Sequence, residues 1–178
     1  MGISKRRFLR SPDTRKSNIQ LMNTPEDILG YAGRKGIEVC PLDVEKLANE
    51  MGAKVLYADL KDNISGMLEQ DSNGSWVIRV NKSHHPTRQR YTIAHELGHY
   101  CLHRSDDMVF EDQVFFRNVE RTPMETEANH FAAELLMPVE TFEKFLRDGI
   151  VNVEDLALKF NVSPVALRVR AQQLGYLK

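Results

Sequence analysis

The densest chemistry in the sequence lies in His95-Glu96-Leu97-Gly98-His99. On a helix each residue turns about 100°, so His95 and His99 stand about 40° apart, one turn above the other. Two imidazole nitrogens so placed can reach one metal ion at about 2.0–2.1 Å. Glu96 points about 100° from His95 and about 60° from His99, beside the ion without being forced to bind it. A carboxylate there can take a proton from water activated at the site, the general-base role in metal-assisted hydrolysis. The preceding Tyr91-Thr92-Ile93-Ala94 is apolar in character and sends the helix into a core. Gly98 in mid-helix costs about 1 kcal/mol against Ala and makes sense where another element must come close.

Two histidines leave a hydrolytic site one protein ligand short, and the third must come from a different element. The stretch Glu125-Thr126-Glu127-Ala128-Asn129-His130-Phe131-Ala132-Ala133-Glu134 is the source, its alanines allowing tight helix packing. Glu127 lies one turn before Phe131 and two before Leu135, which places it on the buried stripe. A carboxylate there is costly unless paired or bound to metal. Glu125 and Glu134 are alternatives on the solvent side. His130 can replace the glutamate or help to stabilise an oxyanion. Tyr91 and His103 are the other oxyanion candidates, and His103, one turn past His99, can also support the ligands from outside. Cys40 and Cys101 are expected to be structural thiols, and His84 and His85 solvated loop residues.

The elements that must position these groups are readable in part. Thr24-Pro25-Glu26-Asp27 starts a helix that ends before Gly36. A second helix fits 41–51, with Gly52 as its stop. Strands fit 54–58, 64–69 and 76–80, the last two joined by Asp71-Ser72-Asn73-Gly74, a hairpin turn. From Pro86 the period becomes helical, with helices over 86–103, 123–137, 139–148, 152–160 and 163–174; residues 104–122 lack periodicity. The fold class is α+β, a small antiparallel sheet followed by a helical half. Three segments are expected: a basic arm over 1–22, a catalytic domain over 23–150, and a C-terminal helix pair over 151–178 packed on that domain.

The chain has 178 residues, 42% hydrophobic and 28% charged, enough for a core and far from a disordered composition. Its longest uninterrupted apolar run, Val55 to Ala58, excludes a membrane-spanning helix, and no secretory leader is expected. Two cysteines are no disulfide framework, so a reducing cytoplasm is the expected compartment. A net charge of −1 excludes a chain-wide attraction to nucleic acid. It conceals the arm, where Lys5, Arg6, Arg7, Arg10, Arg15 and Lys16 face a lone Asp13. In 151–178 the Ser163-Pro164 helix start makes the pair resemble a helix-turn-helix. Arg168 and Arg170 are too few for a recognition helix, so a packing or docking role is favoured over DNA contact.

The run from Arg88 to His99, then Leu102-His103, then Glu127-Ala128-Asn129 and Phe131-Ala132-Ala133-Glu134-Leu135-Leu136-Met137-Pro138, resembles the ImmA/IrrE metallopeptidases over about residues 25–175. That resemblance implies a minimal zincin fold binding Zn²⁺, with Mn²⁺ also suited to such ligands. It implies His95, His99 and Glu127 as metal ligands and Glu96 as general base. It further implies an endopeptidase that cleaves a helix-turn-helix repressor and so releases mobile-element, prophage or stress genes. A non-cleaving anti-repressor or toxin-like partner, and a metal-binding transcription regulator, are the competing readings.

Overall fold

A computed structural model describes residues 22–103, 110–113 and 122–177. Residues 1–21 of the basic arm and most of 104–122 lie outside them. Chain order is α1 (Pro25–Arg34), α2 (Val44–Glu50), β1 (Ala53–Ala58), β2 (Ile64–Gln70), β3 (Trp76–Asn81), α3 (Pro86–Leu102), β4 (Phe110–Gln113), α4 (Pro123–Leu136), α5 (Val139–Arg147), α6 (Val153–Phe160) and α7 (Pro164–Gln173). The expected α+β class holds. The second helix starts later than its sequence suggests, because Asp43, not a residue before Pro41, caps it by accepting from the Lys46 amide.

The sheet is mixed, not antiparallel. Its order is β1-β3-β2-β4, with β3 parallel to β1 and antiparallel to β2. The Asp71–Gly74 turn makes the expected hairpin of β2 and β3. β3 then inserts between β1 and β2, and the loop joining those two strands must cross its end. Asn81, fully buried at the end of β3, holds that crossing. Its amide reaches the carbonyls of Leu60, Lys61 and Ile64 at 3.4, 3.2 and 2.9 Å. The near-continuous apolar run of Trp76 to Val80 suits a strand covered on both faces. A further short strand, β4, pairs antiparallel with β2 where no periodicity was readable. Neither β2 nor β3 is therefore an edge among the described strands.

One core runs through the molecule, from Ile28 and Leu47 through Leu68, Ile78 and Leu97 to Leu135, Phe160 and Leu167. At its centre lies α3, buried continuously from Thr92 to Tyr100. Its start is fixed by Pro86 in the first turn and by the His85 ring, which accepts from the Thr87 amide. Two glycines let neighbours approach it. A Cβ on Gly98 would sit 3.2 Å from the Ala128 Cα and 3.1 Å from the Phe131 ring, so α4 crosses α3 there. A Cβ on Gly66 would sit 2.4 Å from the Thr92 methyl and 2.9 Å from the Arg79 carbonyl, so β2 lies directly on α3. The Arg90 guanidinium donates to the carbonyls of Leu42 and Asn161, tying α3 to the segments before α2 and after α6.

Candidate metal centre

The Nε2 atoms of His95 and His99 lie 3.0 Å apart on the buried face of α3. The third group to join them is Glu125, from the first turn of α4: its Oε2 is 3.3 Å from His95 Nε2 and its Oε1 is 3.2 Å from His99 Nε2. Four-coordinate bonds of about 2.0–2.1 Å space neighbouring donors about 3.3 Å apart, which these separations match closely. Among the described residues no other group of three such side chains converges.

Electrostatics suit a cation. Burial pushes the His95 imidazole below its ordinary value, and the adjacent His99 adds to the effect, while Glu125 opposes it. Hydrogen bonds with His95, then with His99, hold the Glu125 carboxyl far below the usual carboxylate range. Neutral imidazole and ionised carboxylate are the forms that bind a metal. The donor set therefore fits a divalent metal ion.

Glu127, the expected third ligand, is not in this group. Its Oε2 accepts from His103 Nε2 at 2.8 Å, and its side chain is 62% exposed against 34% for Glu125. The buried arc of α4 is centred on Ala128 and Ala132, with Phe131 and Leu135 at one side. At about 100° per residue Glu125 falls about 60° from Ala128, on the Ala132 side, whereas Glu127 falls about 100° away on the other. His103 adjoins this group, its Nδ1 lying 3.1 Å from His99 Nδ1. Tyr91 donates to the backbone carbonyl of Asn129 at 3.3 Å, and the Asn129 side chain hydrogen-bonds His95. His130 and Glu134 are exposed on α4. Glu96 is fully buried beside His95, facing β2, where a Cβ on Gly66 would come within 3.4 Å of its Oε1. Asn129 lies in the run that carries the resemblance but receives no role from the sequence; the signal for one is its four-residue step from Glu125, which puts both on one face.

Residues 48–172 match the family of M78 peptidases described as the IrrE N-terminal-like domain. The chain belongs to that family. As an M78 peptidase it is a metallopeptidase. It is 27% identical over 147 residues to the metallopeptidase ImmA of Bacillus subtilis, covering 78% of this chain and 75% of that protein. It is 39% identical over 93 residues to the radiation response metalloprotease IrrE of Deinococcus radiodurans, covering 49% of this chain but 28% of that protein. An uncharacterized immunity region protein 2 of Bacillus phage phi105 is 29% identical over 93 residues, 52% of this chain and 57% of that protein. A solved Mycobacterium tuberculosis transcriptional regulator shares the M78 chain's fold, with a TM-score of 0.57 and 16% identity over 86% of this chain and 50% of that one.

Proposed function

We propose that the chain is a zinc-dependent endopeptidase that cleaves a helix-turn-helix repressor, with His95, His99 and Glu125 as metal ligands and Glu96 as general base. The observation that carries this reading is the convergence of three ligand atoms from two helices on one point, with a buried carboxylate next to the first ligand. Likeness to ImmA and to a phage immunity region protein supports a regulator of mobile-element genes as the substrate.

An ion held there supplies a Lewis acid that polarises the scissile carbonyl and makes water a better nucleophile. Glu96 takes a proton from that water as its oxygen joins the carbonyl carbon. When the C–N bond breaks, Glu96 returns the proton to the leaving nitrogen. Burial favours the neutral His95 ring, and hydrogen bonds favour the ionised Glu125 carboxylate, the forms that can bind the ion. Asn129 and Tyr91 hold α4 and the His95 ring in register.

The test is to incubate the chain with the repressor encoded beside its own gene, with and without chelator, and to identify the fragments by mass spectrometry. Glu96→Gln should bind zinc normally and lose about 10²–10⁴-fold in cleavage rate. Cutting that survives the chelator, or full activity in Glu96→Gln, overturns the proposal.

A further inference from the structure

Behind the site a row of side chains leads outward from His99. Its Nε2 faces His95 and Glu125, while its Nδ1 lies 3.1 Å from His103 Nδ1. The other nitrogen of His103, Nε2, lies 2.8 Å from Glu127 Oε2. We propose that Glu127 and His103 are a positioning pair that dictates which nitrogen of His99 is offered to the metal. The inference rests on the metal-centre reading given above.

The argument follows the protons outward to inward. An ionised carboxylate can only accept, so the His103 ring must carry its proton on Nε2. In a neutral ring that leaves His103 Nδ1 with a lone pair. Two facing ring nitrogens make a hydrogen bond only if one donates and the other accepts. His99 then carries its proton on Nδ1, which frees Nε2 for the ion and opposes the Nε2–H form that would otherwise donate to Glu125 at 3.2 Å. Reversing any link puts a proton on the nitrogen that has to bind. Outer partners of this kind fix the tautomer and orientation of metal-binding histidines, and losing them typically costs 10–100-fold in metal affinity. A role in folding alone fits poorly, because the Glu127 side chain is 62% exposed and an exposed hydrogen bond adds little stability.

The test uses the full chain, with zinc as the probe. Dissociation constants come from competition with a chromogenic chelator, and tautomers of the metal-free chain from ring-nitrogen NMR. Glu127→Ala should weaken zinc binding 10–100-fold and shift His99 towards the Nε2–H form. Glu127→Gln, which keeps an acceptor oxygen, should recover most of the affinity. His103→Leu should reproduce the loss from the other half of the pair, and circular dichroism checks that each variant is folded. Unchanged affinity and an unchanged His99 tautomer in Glu127→Ala would overturn the pairing. So would a loss as deep as that of Glu125→Ala, because Glu127 would then be a ligand itself. Both outcomes leave the metal centre standing. A chain that binds no zinc, or binds it equally well as Glu125→Ala, ends the metal-centre reading and this inference together.

Discussion

A buried histidine that resists protonation ties stability to acidity. The His95 ring titrates below its ordinary 6.5 because burial disfavours the charged form, and Glu125 titrates below its ordinary 4.5 because of its hydrogen bonds with His95 and His99. Both native values are depressed, so on acidification the unfolded chain takes up protons that the folded chain refuses. Their contribution is fully present above pH 6.5, and it is lost as the pH falls, first through His95 and then, below 4.5, through Glu125. The metal-free chain should therefore unfold at progressively lower urea concentration as the pH falls from about 6.5 to about 5, and His95→Gln should flatten that slope. A pH-independent midpoint in the parent chain would refute it. At this scale the sequence revealed the His-Glu-x-x-His spacing fully and the third donor only as one of several carboxylates. Phe131 and Leu135 draw the eye as anchors of α4. The backbone of α4 instead meets α3 at Ala128, whose small side chain gives no strong apolar signal but leaves its Cα 3.2 Å from where a Gly98 Cβ would sit.

Among the elements, β2 presses directly on α3 at Gly66. Thr92 is buried and β-branched, so its methyl cannot swing clear of a new Cβ on Gly66, and the Arg79 carbonyl blocks the other side. Gly66→Ala should cost about 1–3 kcal/mol in denaturant unfolding, and adding Thr92→Ser should restore part of it. Full stability in the single variant would mean that the strand can slide away from the helix. The hairpin around Asn73-Gly74 was legible because turn chemistry is local. The parallel partner of β3 was not, because strand order depends on a crossing fixed by Asn81 through carbonyls 17 to 21 residues away. The strand over 110–113 had no periodic signal, its short length giving pattern little to act on.

Across the whole molecule the C-terminal helix pair shares the core. Leu156, Phe160, Val162 and Leu167 are buried in the same cluster as Leu97 and Leu135, and the Phe160 ring stacks on Phe142 at 5.9 Å. Of the two arginines on α7, Arg170 is buried and donates to the Met137 carbonyl, and Arg168 pairs with Glu154 at 3.0 Å. Both cations are engaged within the fold, in keeping with a packing role. A chain ending at residue 150 should lose cooperative unfolding, whereas the full chain should melt in one transition by circular dichroism. Cooperative melting of the shortened chain would show that the pair is a separable unit. No helix among the described residues is long and apolar enough to cross a membrane.

Two donors ride on α3 and the third on α4, on either side of a seam that is already tight at Gly98. An ion seated there is a rivet through two plates, holding the seam shut as well as arming the catalyst. Free zinc at a hundred times its dissociation constant should add about 2.7 kcal/mol to the stability of the chain, visible as a melting temperature that climbs with zinc concentration. If the melting temperature ignores the ion, the rivet is absent and the plates are joined by packing alone.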